Sequence, residues 1–163
     1  MSFTEIERKF EIEGFPTSLA CIEQSTMYQG YLSTKPVVRI RKKETATGCT
    51  YKVCFKGEGT IARTELELDI TAEEYETLAT LLIIPPVSKE QRVYTLENGL
   101  KLECNLVDKG SDTAFYYAEI EFPTIEAAHA FQPPYFLGKE KTADMQFTMA
   151  EYWCKKINSS KKS

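Results

Sequence analysis

The stretch "TEIERKFEI", residues 4–12, sets Glu5, Glu7 and Lys9 at alternating positions, with Ile6 and Phe10 among the residues between them. Side chains two apart along a β-strand share a face, so the three charges lie together and the apolar residues point the other way. A strand that gives one whole face to charge needs water or a charged ligand on that face.

The same alternation recurs along the chain. Arg39 and Arg41 share a face in "VVRIRKK", as do Lys52 and Lys56 in "YKVCFK", Arg63, Glu65 and Glu67 in "ARTELEL", and Glu119 and Glu121 in "YAEIEF". The opposite faces read Val38 and Ile40, Val53 and Phe55, Leu66 and Leu68, Ile120 and Phe122. For one strand taken alone, the simple reading is charge toward water and aliphatic residues inward, as in a sandwich or a lipid-binding barrel. Paired charges of defined sign in most of the strands, with helices to cover the aliphatic face, point instead to a charged lumen inside a helix-coated barrel.

Eight strand-like segments carry this pattern, at 3–13, 26–33, 37–45, 49–57, 62–70, 89–97, 100–108 and 114–122. Asn98-Gly99 is a two-residue hairpin signal, and Thr47-Gly48 and Gly57-Glu58-Gly59 are looser turns. Most neighbouring strands are therefore antiparallel. Thr71 and Glu74 form a capping box ahead of "YETLATLLI", which Pro85-Pro86 ends. Thr124 opens "IEAAHAF", a short helix is expected after Phe15-Pro16, and a last one in "FTMAEYWCKKI". The predicted fold is mainly β with flanking helices (α+β): an eight-stranded antiparallel closed β-barrel with the helices outside. One domain is expected over 1–157, with 158–163 as a disordered tail.

Composition narrows the function. The 163 residues, 42% hydrophobic, suffice for one domain with a core. There is no secretory-type opening and no window near the roughly 20 apolar residues of a membrane span, so a soluble, cytoplasmic protein is expected. The five cysteines are odd in number, scattered and without a CxxC pair, which predicts reduced thiols rather than a disulfide or zinc framework. A formal net charge of −4 argues against nucleic acid held by bulk electrostatics. Any basic chemistry is therefore local. Lysines and arginines converging in a lumen make a polyanion site, because guanidinium forks grip phosphate oxygens. Glutamates in the same lumen fit best as ligands for a hard divalent cation, Mg2+ or Mn2+.

With these motifs on the page, the chain resembles the CYTH superfamily, the triphosphate tunnel metalloenzymes, and most of all its small bacterial inorganic triphosphatases. "EIERKF" matches the ExExK signature. "QGYL" at 29–32, Arg39 and Arg41, Lys56 ahead of Glu65 and Glu67, Arg63, "LEC" at 102–104, "AEIEF" at 118–122 and "GKEKTAD" at 138–144 follow in the family's order. The resemblance implies metal-dependent hydrolysis of inorganic triphosphate in an eight-stranded tunnel. It assigns Glu5, Glu7, Lys9, Glu119 and Glu121 to catalysis. Lys9, Arg39, Arg41, Lys52, Lys56, Arg63 and Arg92 would hold the triphosphate, and Glu5, Glu7, Glu65, Glu67, Glu103, Glu119 and Glu121 the metal side. In Lys89-Glu-Gln-Arg92, where the family has K-x-R, Arg92 is expected to keep its role while Lys89 turns to the other face. Asn105 stands where aspartate is common, and Gln146 and Phe147 where Arg and Tyr are usual.

Thiamine or nucleoside triphosphates are the alternative substrates, with Trp153 or Tyr28 as candidate stacking partners for a ring. A cyclase of the family would carry a histidine before ExExK, whereas the single histidine here is His129. A non-catalytic polyphosphate or nucleotide sensor is the alternative outside enzymes, which the abundance of lumenal glutamates disfavours. The expected partner is a small-molecule triphosphate rather than nucleic acid or membrane, and oligomeric state is left open.

Overall fold

The computed structural model describes residues 3–161, and their strands close into one antiparallel barrel in the order β1-β5-β4-β3-β2-β6-β7-β8. The strands are β1 (Thr4–Glu11), β2 (Cys21–Thr34), β3 (Val37–Thr45), β4 (Gly48–Lys56), β5 (Ala62–Asp69), β6 (Val87–Thr95), β7 (Lys101–Val107) and β8 (Phe115–Glu121). Three helices accompany them: α1 (Ala72–Ala79), α2 (Ile125–Ala130) and α3 (Met149–Ser160). Closure gives each of these strands a neighbour on both sides. Among the described residues no helix is long and apolar enough to cross a membrane.

Local chemistry explains the punctuation. Thr71 accepts from the Glu74 amide at 3.1 Å while the Glu74 carboxylate accepts from the Thr71 amide at 2.7 Å, so the expected capping box starts α1. Gly99 takes φ 82°, the left-handed conformation that a tight β6–β7 turn asks of its last residue. Two sequence expectations give way. Residues 13–20 form bends instead of a short helix, because Phe15 is spent as an anchor, edge-on to Tyr116 at 5.4 Å and beneath the Arg92 guanidinium at 4.1 Å. The tail expected from residue 158 begins inside α3, which runs on to Ser160; residues 162–163 lie outside the described residues.

The apolar faces point outward and helices cover much of them. On one side Phe10, Leu102, Cys104, Ala118 and Ile120 pack beneath Ala128 and Phe131 of the α2 region. On another, Ile40 and Val53 lie under Tyr75 of α1. Coverage stops at β4 and β5, where Phe55, Leu66 and Leu68 are left exposed. Helix α3 goes beyond coating the wall. Its first turns lie at one end of the lumen, and its Trp153 reaches β2 at Gly30, where a methyl group would sit 2.5 Å from Leu82 Cδ1 and 3.2 Å from the indole.

Strand β1 is the seam. Its residues 4–6 pair with β5 and residues 7–11 with β8; on the β5 side the segment 138–142 takes over beyond residue 7. Gly138 and Lys141 donate to the Glu11 and Lys9 carbonyls at 2.7 and 2.8 Å, and Glu11 donates to Lys139 at 2.9 Å. A Cβ at Gly138 would fall 2.8 Å from the Glu11 carbonyl oxygen, so the approach is open only to glycine. Arg8, on the outer face of β1, staples this arrangement. Its guanidinium grips both Glu140 oxygens, at 2.9 and 2.6 Å, and donates to the carbonyls of Ala128 and Phe131 at 2.8 and 2.9 Å. Arg8→Ala leaves those carbonyls and Glu140 without their donor, and we expect a loss of about 2–4 kcal/mol in urea unfolding. A loss under about 0.5 kcal/mol would show that the staple is dispensable.

Candidate active site

Inward-facing residues of all eight strands surround a cavity of about 1110 Å³. Cross-strand register sets the layers. Arg39 stands opposite Cys54, and Cys54 opposite Glu67; Arg41 stands opposite Lys52; Glu5 opposite Arg63; Lys9 opposite Glu119, and Glu119 opposite Glu103; Glu7 opposite Glu121. The result is a lumen with two walls. Strands β3 and β4 carry Arg39, Arg41, Lys52 and Lys56, whereas β1, β7 and β8 bring Glu5, Glu7, Glu103, Glu119 and Glu121. Strand β5 joins the walls with Arg63, Glu65 and Glu67.

Ion pairs span the junction. Lys56 Nζ lies 3.0 Å from Glu5 and 3.1 Å from Glu65, Arg63 Nε 3.2 Å from Glu5, and Arg41 3.5 Å from Glu67. Burial pushes the Glu5 carboxyl up, but Lys56 and Arg63 outweigh it, leaving it below its ordinary value. Glu7 has no such protection. Burial raises it well above the usual carboxylate range, and Glu119 and Glu5 raise it further. Glu119 goes the other way despite burial, held at about 2 by Lys89, the hydrogen bond from Glu7, and Lys9. Glu7 and Glu119 are thus driven in opposite directions, the carboxyl of Glu7 toward its neutral form and that of Glu119 toward its charged form. Burial followed by Glu103 and Glu5 brings Glu121 up to about 7.

This crowding is what a cation would relieve. Oxygens of Glu5, Glu7 and Glu121 lie within 4.8 Å of one another, an all-oxygen donor set of the type that hard divalent ions take. A second acidic cluster, Glu65 and Glu67 with the Cys54 thiol, lies against the basic wall, which disfavours a cation there.

Of the residues expected from sequence, Glu5, Glu7, Lys9, Arg39, Arg41, Lys52, Lys56, Arg63, Glu65, Glu67, Glu103, Glu119 and Glu121 all line this cavity. Arg92 does not. It lies on the outer face, opposite Cys104 of the outer core, bonded to Glu90 at 3.1 Å and stacked on Phe15. The inward residues of β6 are Lys89 and Gln91, so the expectation for both basic residues is reversed: Lys89 faces the lumen and Arg92 the outside. Lys89 is buried, 3.3 Å from the Tyr117 hydroxyl, and burial pulls its ammonium down to about 8, against the opposing pull of Glu119. Gln91 donates to Asn105 Oδ1 at 3.0 Å, a neutral pair in the wall. Lys43 also lines the cavity, and its parity with Arg39 and Arg41 was the signal that could have found it. The two candidate stacking aromatics do not reach the lumen surface: Trp153 is buried, and Tyr28 lies outside beneath Lys42.

A closed antiparallel tunnel with facing acidic and basic walls defines the class: a triphosphate tunnel fold. No family model matches the sequence. The inorganic triphosphatase of Nitrosomonas europaea is 33% identical over 144 residues, 88% of this chain and 93% of that protein. A crystal structure of an inorganic triphosphatase superposes with a TM-score of 0.61 at 28% identity, covering 91% of this chain and 93% of that one. The PH1819 protein of Pyrococcus horikoshii OT3 shares the fold, with a TM-score of 0.67 at 16% identity over 95% and 99% of the two chains. The chain belongs to the inorganic triphosphatase family of the CYTH superfamily and is a triphosphatase.

Two outcomes test this geometry. Lys89→Met should cut kcat/KM for tripolyphosphate about 10- to 100-fold, the worth of a charged hydrogen bond, while Arg92→Ala stays within about threefold of the parent protein. Equal losses would return Arg92 to the site. Because burial and neighbouring carboxylates raise the Glu7 carboxyl well above its ordinary value and bring Glu121 up to about 7, Mg2+ or Mn2+ affinity measured by calorimetry should rise from pH 5.5 to 8 with proton release. A pH-independent affinity would place the cation elsewhere.

Proposed function

We propose that this chain hydrolyses inorganic triphosphate to pyrophosphate and phosphate, using Mg2+ or Mn2+. The observation that carries the reading is the facing of Arg39, Arg41, Lys52 and Lys56 against Glu5, Glu7 and Glu121 within one lumen. A substrate with one negative charge per phosphoryl group fits the basic wall. It would draw Lys56, Arg63 and Arg41 away from Glu5, Glu65 and Glu67, and so free the carboxylates as the phosphates bind.

In this reading Glu5, Glu7 and Glu121 hold the cation, with Glu103, Glu65 and Glu67 completing the acidic surround. When bound, such a cation would supply positive charge that polarises the phosphate oxygens. Arg39, Arg41, Lys52, Lys56, Arg63, Lys9 and Lys89 bind the phosphates and hold their charge as it redistributes. Water oxygen forms a bond to the terminal phosphorus as the anhydride bond breaks, and pyrophosphate leaves with the electron pair. The water proton passes to a carboxylate beside its path, for which Glu119, ionised and held by Lys89 and Lys9, is the assigned group. Burial in the tunnel strengthens each of these charge interactions.

Glu7→Gln keeps the side-chain shape and removes the metal-binding charge. Phosphate release from tripolyphosphate with Mg2+ or Mn2+ should fall at least about 100-fold, with the unfolding midpoint kept or raised, since a carboxyl buried at 6% exposure beside Glu119 is relieved. Full activity would sink the assignment. Tight tripolyphosphate binding by the parent protein without turnover would make the tunnel a binding site only.

A further inference from the structure

Strand β2 carries a buried amide that its surroundings do not satisfy. Met27 and Tyr31 line the cavity from this strand, and Gln29, which shares their face, is 0% exposed. Among the described residues neither Nε2 nor Oε1 of Gln29 has a hydrogen-bond partner. A buried amide left in that condition weakens the fold. Met27, unbranched and of similar length, fills the same face two residues earlier at 2% exposure without that cost. Stability therefore gives no reason for glutamine at position 29.

Register shows what the amide faces. Gln29 stands directly opposite Arg41 of β3, and Arg39, opposite Tyr31, is its diagonal neighbour. On the other side it stands opposite Val87 of β6, with Lys89, opposite Met27, on the diagonal. Three lumenal cations thus bracket one neutral side chain. Arg41 already has acceptors, the Glu67 carboxylate and the Met27 sulfur, each at 3.5 Å. Arg39 differs, because its Nε is buried with no acceptor. One layer of the basic wall therefore holds an idle donor, Arg39 Nε, and an idle acceptor, Gln29 Oε1, on diagonal positions of paired strands. Arginine and glutamine are both long enough to close a diagonal pair.

We propose that Gln29 is a positioning residue for Arg39: with phosphate bound, Arg39 Nε donates to the Gln29 carbonyl oxygen while the terminal nitrogens of the guanidinium face the phosphoryl oxygens. The inference rests on the triphosphatase reading for where the phosphates lie, though not on turnover. Held at Nε from behind, the planar fork presents its two-nitrogen end to the lumen, the geometry of a bidentate phosphate contact. With neither end bonded beforehand, the amide turns its oxygen to Arg39 without breaking another bond. The new pair satisfies both idle atoms at once, and it persists through the reaction. Its worth therefore falls on affinity, so losing it raises KM and leaves kcat near the parent value.

The test is a double-mutant cycle read on tripolyphosphate affinity. Gln29→Met keeps the length and removes the amide; Arg39→Lys keeps the charge and removes the Nε donor. Gln29→Met should raise KM with Mg2+, and the calorimetric Kd with chelator, about tenfold, with kcat within about threefold of the parent. Its urea unfolding midpoint should be kept or raised, since an orphaned amide has gone. In the Arg39→Lys background the same substitution should change Kd less than about twofold. An unchanged KM and Kd in Gln29→Met overturns the proposal, as does an equal loss in both backgrounds, which would give the amide a different partner. A midpoint lowered in both Gln29→Met and Gln29→Leu, with Kd unchanged, makes Gln29 a packing residue and overturns it too. If the parent protein binds tripolyphosphate and never hydrolyses it, the triphosphatase reading fails by itself, and the Kd cycle still decides Gln29.

Discussion

Enclosing charge is the constraint from which the rest of this structure follows. A lumen packed with lysine, arginine and glutamate cannot also bury aliphatic side chains, so the apolar faces of the same strands must turn outward. Outward apolar faces need cover, and α1, α2 and the packing of Trp153 against β2 supply most of it. The charges are tolerated because they are paired. Lys56 sits between Glu5 and Glu65, and Arg41 reaches Glu67. Where pairing runs out, at Glu7, burial and the neighbouring carboxylates raise the carboxyl well above its ordinary value.

That incomplete pairing is where structure becomes chemistry. A fully neutralised lumen would be stable and inert; one with crowded carboxylates on one wall and buried cations on the other is poised to take a cation and a polyanion together. Strand β1 concentrates the requirement, since Glu5, Glu7 and Lys9 belong to the site while Arg8, on its other face, ties α2 and Glu140 to the wall. The segment 138–142 then finishes the wall that β5 leaves short, and places Phe147 and the start of α3 at the tunnel end. Closure of the barrel and shaping of its end are thus the work of one stretch of chain.

Much of this was legible in the residues. Period-two charge in "TEIERKFEI", "VVRIRKK" and "ARTELEL" assigned the lumenal set correctly except on β6, because alternation needs only the local pleat. Strand β6 failed for a definite reason. In "SKEQRV" the basic residues stand three apart, so only one of them can face inward, and choosing Arg92 put the whole strand one residue out of parity. Burial decides the matter: Arg92 finds Glu90 and Phe15 outside, while Lys89 finds Tyr117 and Glu119 inside. The same limit applies to the aromatics. Trp153 and Tyr28 looked available for stacking, but packing buries one and turns the other to the outer face, while Phe147, whose carbonyl accepts from the Lys9 ammonium, is set at the tunnel end.

By itself, then, the sequence determined which residues share a strand face, how many strands there are, and that acids and bases would meet a charged ligand. These follow from steric alternation and turn chemistry within a few residues. The tertiary structure alone decided which face is inside, which strands stand opposite one another, and where the rings collect. Those depend on register between strands far apart in the chain and on the shared desolvation of groups such as Glu7 and Glu119, which interact only once the barrel has closed.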